Sequence, residues 1–162
     1  MFLMKAQRYT HSCSGFTVSE LMVTIGLAGI LMGIAVPSLL AWLPTLRLND
    51  GARQVAVDLQ NARMTAVSQS LPFGLNFAAA GATTYVIFQD ADNDGVYDNP
   101  GDPVIRGPIN LPQGITATDA RTMVFQPRGI ANGGTINLGN GTGTTQNIQV
   151  SIVGGVRVDA QM

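Results

Sequence analysis

The residues best suited to chemistry are five aspartates between positions 90 and 102. The run Asp90-Ala91-Asp92-Asn93-Asp94-Gly95 begins like a calcium loop, because carboxylates at alternating positions converge on one hard cation and glycine permits the sharp turn. Asp98 continues the spacing, but the twelfth position is Gly101 instead of a glutamate, Asp102 comes one place late, and no helical pattern flanks the loop. Two interpretations stay open: a metal-free, solvated hairpin loop, or a weak calcium site of another kind built from Asp90, Asp92, Asp94 and Asp98.

Most other catalytic chemistry is excluded by where the rare residue types lie. The only lysine, histidine and cysteine are Lys5, His11 and Cys13, so a chain that loses its first fifteen residues has none of them. This excludes Ser-His-Asp and Cys-His nucleophiles, lysine Schiff bases, thiolate redox chemistry and ordinary His/Cys zinc sites. A membrane-tethered glycosidase with two carboxylates is disfavoured, because neighbouring loop aspartates beside glycine are typical of turns or cation binding.

Length and charge set further bounds on the molecule. The 162 residues suit one modest domain plus an apolar segment, and 46% of them are hydrophobic whereas 12% are charged. Nine basic and ten acidic residues give a net charge of -1, which disfavours coating of nucleic acid by charge alone. This overall charge still permits a local basic site for nucleic acid.

An uncharged stretch runs from Leu21 through Leu46 and is long enough for a membrane helix, which needs about 20 apolar residues. Lys5 and Arg8 lie on its N-terminal side, so the positive-inside rule places residues 1–15 in the cytoplasm and the rest of the chain on the other side. A cleaved secretory signal peptide is the alternative. The apolar run is longer than such peptides use, and no small-residue cleavage site closes it.

Glu20, the only glutamate, lies at the start of this apolar stretch. The junction Gly15-Phe16-Thr17-Val18-Ser19-Glu20 resembles the leader junction of type IV pilins and type II secretion pseudopilins. The resemblance implies that a prepilin peptidase cuts between Gly15 and Phe16, that the new amine of Phe16 is methylated, and that Glu20 meets the amine of a neighbouring subunit. An ion pair between subunits would offset the cost of burying an unpaired carboxylate in an apolar bundle.

The elements that follow are an amphipathic helix and a β-rich head. Apolar residues recur at helical spacing between positions 45 and 71, and Pro72 disfavours further helix. That spacing predicts an apolar stripe against the head, formed by Leu48, Ala52, Val55, Leu59, Ala62 and Ala66, while Asp50, Arg53, Gln54, Asp58, Gln60 and Asn61 occupy other faces. Pro37 and Pro44 are each expected to kink or locally open the helix.

Short apolar runs between glycine, proline and asparagine predict strands at 73–77, 83–89, 104–106, 122–126, 134–138, 147–153 and 155–158.

The head carries a second resemblance. Phe125-Gln126-Pro127-Arg128-Gly129 and the run from Val150 to Val158 resemble the heads of H-type pseudopilins and FimT-type minor pilins. The implied fold is α+β and type IV pilin-like, with a long N-terminal helix packed on a small antiparallel head. FimT-type proteins that bind DNA carry a G-R-x-R pattern, whereas this chain has Gly154-Gly155-Val156-Arg157 and keeps only the second arginine. Arg157 is therefore the one candidate DNA contact, and DNA binding is disfavoured.

These observations predict a structural protein that is not an enzyme. We expect a prepilin leader at 1–15, a transmembrane and filament-core helix at 16–44, its amphipathic continuation at 45–71 and a head at 72–162. The resemblance implies a minor pseudopilin of a type II secretion system, or alternatively a FimT-type minor pilin acting in pilus assembly or DNA uptake. Its partners would be other pilins or pseudopilins, the prepilin peptidase and the inner membrane, with calcium as the one candidate cofactor and no small-molecule substrate. Its head would be periplasmic, first on the membrane and then in a filament.

Overall fold

The computed structural model describes residues 15–160, and the predicted leader at 1–15 lies outside them except for Gly15. One long helix, α1, spans Val18–Gln69 and is followed by strands alone. The chain divides into two compact units, Met1–Leu40 and Ala41–Met162, which are described separately below.

In the first unit, α1 presents apolar side chains to solvent along its whole length. Every described residue from Gly15 to Leu40 is exposed, and the segment is long and apolar enough by length and composition to cross a membrane. The helix assignment continues through Pro37, and in the second unit it continues through Pro44. The helix is therefore not interrupted at either proline, since each removes only one amide donor.

In the second unit, α1 packs against the head by one face. The six residues of the predicted apolar stripe are all buried, which confirms that prediction. Asp58 is buried as well, although the pattern places it on a polar face. It lies three residues after Val55 and four before Ala62, so the helical repeat puts it at the border of the stripe.

The head contains eight strands: β1 Phe73–Phe77, β2 Thr84–Gln89, β3 Val104–Asn110, β4 Thr116–Ala117, β5 Arg121–Phe125, β6 Gly134–Gly139, β7 Thr145–Val150 and β8 Val156–Ala160. They form two four-stranded sheets, with the orders β3-β2-β1-β5 and β4-β6-β7-β8. All of the paired strands are antiparallel. The predicted fold class is thus confirmed, with α1 and both sheets contributing to one hydrophobic core.

Three strand predictions need correction. The run at 104–106 continues as strand to Asn110. The run at 147–153 is strand only as far as Val150, because Ser151 to Gly155 form the turn into β8. In that turn the amide of Gly154 donates to the carbonyl of Ser151, and the amide of Ser151 donates to the carbonyl of Gly155. Gly154 has a φ of 79°, the left-handed conformation that such a turn requires and that glycine adopts without strain. The short strand β4 was not predicted, since two residues carry no periodic signal.

The outer face of the first sheet is covered by the aspartate loop. Gly74 in β1 leaves room for the ring of Phe88, since a Cβ at Gly74 would lie 2.7 Å from it. The ring of Tyr97 lies over Phe88 with 4.9 Å between centroids. The loop between β2 and β3 is therefore held against the sheet by an aromatic contact as well as by hydrogen bonds.

Candidate functional site

Glu20 belongs to the first turn of α1, where it forms a capping box with Thr17. The amide of Thr17 donates to Glu20 Oε2 at 3.0 Å, and the amide of Glu20 donates to Thr17 Oγ1 at 3.2 Å. The Thr17 hydroxyl also donates to Glu20 Oε2 at 3.0 Å. These bonds fix the start of the helix, and the sequence interpretation missed them although the Thr-x-x-Glu pattern signals them.

The capping box leaves the charge of Glu20 uncompensated within the described chain. Its partners are a neutral amide and a neutral hydroxyl, and no cationic group from residues 15–160 lies within ion-pair distance of it. Phe16, the predicted first residue of the processed chain, is exposed directly before the cap. The carboxylate is thus oriented at the helix start, where a cation from another molecule can reach it.

The aspartate loop is organised by its two buried members. Asp90 accepts hydrogen bonds from the amides of Asp94 and Gly95, at 3.2 and 3.0 Å. Asp102 accepts from the amides of Ala91 and Asp98, at 2.8 and 3.0 Å. Both carboxylates thereby close the loop by accepting from backbone amides. Asp102 was left out of the predicted ligand set because it comes one place late, yet it holds the loop together as much as Asp90 does.

The exposed aspartates lie beside this buried pair. Carboxylate oxygens of Asp90, Asp92 and Asp102 lie within 4.8 Å of one another, and so do those of Asp92, Asp94 and Asp98. The structure thus brings together the four predicted calcium ligands in two overlapping groups that share Asp92. Burial raises the pKa of Asp90, and the hydrogen bonds from backbone amides act in the opposite direction. Oxygen-rich chemistry of this kind suits a hard cation, and the backbone bonds also suit a metal-free loop.

Arg157 lies on the exposed face of the second sheet, in register with Gln149 of β7 and, through it, with Thr135 of β6. These side chains border an open groove of about 620 Å³ that also includes Gly134. Arg121 of β5 also approaches β6, since its Nη1 lies 3.9 Å from where a Cβ of Gly134 would be, but it does so on the side of the buried Met123 and does not line this groove. Arg157 is therefore the one arginine among the residues that line it.

Two polar junctions fasten α1 to the head, and the first centres on Asp58. The Tyr85 hydroxyl donates to Asp58 Oδ2 at 2.6 Å, and Arg106 Nη1 lies 3.2 Å from Asp58 Oδ1. Gln54 donates to the Tyr85 hydroxyl at 3.1 Å. Burial and the bond to Asp58 raise the pKa of Tyr85. The helix is thus tied to β2 and β3.

The second junction centres on Arg63. Its Nε donates to the carbonyl of Gly129 at 3.0 Å, and its Nη2 donates to the carbonyl of Val153 at 3.2 Å. Gly154 is packed so closely here that a Cβ would overlap the carbonyl oxygen of Gly129 and lie 2.6 Å from Arg63 Nε. The glycine preceding the Arg157 segment therefore has a packing role, which sequence alone did not indicate.

Comparison with known proteins assigns the family. Residues 51–154 match the family model described as Type II transport protein GspH, and residues 10–36 match the prokaryotic N-terminal methylation motif. The chain belongs to the GspH family. This family is structural and type IV pilin-like, and its members assemble with other pilins or pseudopilins. The methylation motif and the apolar helix indicate anchoring in the inner membrane.

Individual relatives of this GspH-family chain include both pilins and pseudopilins. It is 30% identical over 158 residues to the pilin-like protein PilA1 of Thermus thermophilus, an alignment that covers 90% of the chain and 97% of the relative. The minor pseudopilin EpsH of Vibrio cholerae superimposes with a TM-score of 0.53 at 12% identity, over 70% of the chain and 97% of EpsH. The type IV minor pilin FimU of Pseudomonas aeruginosa gives 0.50 at 18% identity, over 71% and 88%. These structural likenesses confirm the fold, and they are equally compatible with a secretion filament and a pilus.

Proposed function

We propose that the chain is a minor pseudopilin of a type II secretion system, which assembles into a periplasmic filament for protein export. The observation that carries this proposal is the GspH match over residues 51–154, on a head that follows a prepilin-type helix. In this role a prepilin peptidase cleaves after Gly15, Phe16 becomes the methylated N-terminus, and the chain is drawn from the inner membrane into the filament.

Glu20 is the residue we assign to subunit docking. Thr17 already orients its carboxylate, yet the described residues supply no opposite charge. Burial of that carboxylate among apolar helices is costly unless a cation compensates it, and the N-terminal amine of a neighbouring subunit is the cation that the resemblance implies. Docking therefore satisfies a charge that a lone subunit leaves unpaired.

Replacement of Glu20 separates docking from processing. Glu20→Ala is expected to enter the membrane and be cleaved normally, but to join filaments at a small fraction of the wild-type level. Thr17→Ala is the matched control, because it removes the hydroxyl's two bonds in the cap and keeps the carboxylate. Incorporation of Glu20→Ala at the wild-type level would contradict the assignment.

An in-frame deletion in the source organism tests the secretion role. Exoproteins are expected to accumulate in the periplasm while surface pili and DNA uptake persist, and expression of the wild-type chain should restore export. Normal secretion together with lost pili or lost DNA uptake would instead identify a minor pilin.

The second candidate, a FimT-type minor pilin acting in pilus assembly or DNA uptake, is favoured by one structural observation. Arg157 borders the groove of the second sheet, where it is the one arginine among the lining residues, so a single guanidinium is available there for a phosphate backbone. DNA binding that weakens with salt and is lost in Arg157→Ala, but not in Arg128→Ala, would support this candidate.

A further inference from the structure

One end of the head lies beside the start of the helix in the second unit. The β1–β2 connection meets the β3–β4 connection there, because the amide of Leu111 donates to the carbonyl of Thr83. Pro112 packs on α1 at Gly51, where a Cβ would lie 3.2 Å from the proline Cδ. The β6–β7 turn joins the same end, since the last residue of β6 pairs with the first residue of β4. We call this surface the near end, and it consists of residues 78–83, 111–115 and 140–144.

The near end carries no charge. None of its three segments contains an acidic or basic residue, and its exposed side chains are small or neutral, among them Ala79, Gln113 and Thr142. The opposite end of the first sheet, which we call the far end, holds the aspartate loop and Arg128. Arg63 of α1 contacts that far end. Charge in the loops is thus concentrated away from the end where the helix enters the head.

The helix segment that leads to the near end has the composition of a membrane boundary. Trp42 is 58% exposed, and the twenty residues before it, 22–41, carry no charge and are about the number that the hydrocarbon layer needs. Tryptophan is enriched where hydrocarbon meets lipid headgroups. Arg47 lies about 7.5 Å further along the helix, which is the depth of one headgroup layer in a bilayer about 40–45 Å thick. The one ion pair among residues 15–160 does not include Arg47, so its guanidinium is available to a lipid phosphate.

The head begins to cover the helix at the same depth. Trp42 is exposed, Pro44 to Arg47 are partly covered, and Leu48 is buried. Asp50 is the first acidic residue after the apolar stretch, and it lies about 12 Å beyond Trp42, outside the headgroup layer. A bilayer that ends at Trp42 therefore meets one basic side chain, no acidic one, and the near end of the head.

We propose that the near end is a lipid-binding surface that rests on phospholipid headgroups on the head's side of the membrane, with Trp42 at the hydrocarbon boundary and Arg47 bound to lipid phosphate. Small neutral side chains approach the headgroups without desolvating a charge. A protein partner suits this end less well, because protein interfaces depend on large anchoring side chains and the near end exposes none. The contact would hold the head at a fixed height until the subunit leaves the bilayer. It depends on membrane anchoring and not on the type of filament.

The native tryptophan tests the boundary. Trp42 is the chain's only tryptophan, so the full-length chain needs no label. It is reconstituted into vesicles of phosphatidylcholine and phosphatidylglycerol whose acyl chains carry bromine either near the headgroup or near the chain end. Bromines near the headgroup are expected to cause the larger loss of Trp42 fluorescence.

Fluorescent labels test the near end itself. The chain's one cysteine, Cys13, is replaced by serine, and Ala79→Cys or Thr142→Cys supplies a single labelling position. Val153→Cys is the matched control, because Val153 is 73% exposed in the turn that Arg63 contacts at the far end. Vesicles with a nitroxide on the phosphatidylcholine headgroup should quench the labels at positions 79 and 142 and leave the label at position 153 bright. In detergent micelles without the nitroxide lipid, the three labels should be equally bright.

Charge reversal tests the phosphate contact. Arg47→Glu should reduce the nitroxide quenching of the label at position 142, because it replaces the cation of the headgroup layer with an anion beside phosphatidylglycerol. Arg53→Glu is the matched control, since Arg53 is exposed and lies about 9 Å further along the helix, outside that layer. It should leave the quenching unchanged.

Three results would overturn the proposal. Stronger quenching of Trp42 by bromines near the chain end would place the boundary elsewhere. Equal quenching of the three labels would mean that the near end does not contact lipid, and equal quenching in Arg47→Glu and Arg53→Glu would mean that Arg47 does not bind phosphate. A chain that does not insert into the vesicles would reject membrane anchoring itself, whereas any of the three results in an inserted chain would leave the proposed filament role intact.

Discussion

The Asp58 junction gives the prediction that the structure defines most fully. Asp58 is 5% exposed and accepts the Tyr85 hydroxyl at 2.6 Å, while Arg106, its ionic partner, has a side chain that is 62% exposed. In Asp58→Ala the buried hydroxyl loses its acceptor, and Gln54 offers it only a donor. The guanidinium of Arg106 can be hydrated instead, so most of the effect comes from the tyrosine.

The expected magnitude follows from these exposures. A buried hydroxyl without an acceptor costs about 1–3 kcal/mol, and a solvated ion pair contributes about 0–1 kcal/mol. We therefore expect Asp58→Ala to lower the free energy of unfolding by about 2–3 kcal/mol, a large fraction of the stability of a small domain. Tyr85→Phe should cost about 1–2 kcal/mol, since the carboxylate keeps Arg106.

The assay is urea denaturation of a fragment beginning at Ala41, which retains every residue of the hydrophobic core. The double variant Asp58→Ala/Tyr85→Phe should lose about 1–2 kcal/mol less unfolding free energy than the two single variants lose in sum, because neither a carboxylate nor a hydroxyl is then left without its hydrogen-bond partner. Asp50→Ala, an exposed aspartate on the same helix, should change stability by less than about 0.5 kcal/mol. Strict additivity of the two single effects would refute the argument.

Three further predictions rest on other parts of the head. Gly154→Ala should destabilise the fragment by more than about 3 kcal/mol, because backbone strain at positive φ adds to the overlap of the new Cβ with a carbonyl oxygen. Gly141→Ala, at a φ of 69° with open space around it, should cost about 1 kcal/mol. Equal melting temperatures for the two variants would contradict the packing role of Gly154. The raised pKa of Tyr85 means that this residue contributes its full stabilisation below the unfolded pKa of about 10 and loses it as pH rises from there toward the higher folded pKa. Tyr85→Phe should therefore flatten the decline in stability above about pH 10 in urea titrations. Backbone amides already close the aspartate loop, so Asp90→Ala should cost about 2 kcal/mol with or without calcium. A melting temperature that rises with calcium in the wild type, and not in Asp92→Asn, would instead establish the cation site.

Hydrophobic periodicity predicted most of the fold because it reports burial directly. The stripe from Leu48 to Ala66 is buried as its spacing requires, and β1 has the predicted bounds. The predictions failed where a turn or a hydrogen bond to a distant residue, and not hydrophobic burial, determined the local structure. Ile152 and Val153 are apolar, yet Gly154 turns the chain there. Asp58 is polar, yet Tyr85 and Arg106 stabilise it at the edge of the core. Such partners come from distant strands, so no local pattern contains them.

In the aspartate loop, hydrogen bonding divides the roles of the carboxylates differently from their spacing along the chain. Spacing along the chain groups Asp90, Asp92, Asp94 and Asp98 as equals and places Asp102 outside the set. Hydrogen bonding separates them instead, because Asp90 and Asp102 turn inward to backbone amides while the others remain at the surface. The buried pair determines the shape of the loop, and the exposed members are left to carry its charge toward a cation or a partner.

The arginine motif stays incomplete when the fold is taken into account. Charge density at a surface depends on which strands meet there, so a partner for Arg157 could have come from another strand. Arg121 of β5 does approach β6 at Gly134, but on the side of the buried Met123, opposite the face that Thr135 and Arg157 share. Arg157 is thus the one arginine among the residues that line the groove. One guanidinium neutralises about one phosphate, so the groove argues against strong binding of a polyanion, and the choice between secretion filament and pilus depends on the deletion phenotype together with Arg157→Ala.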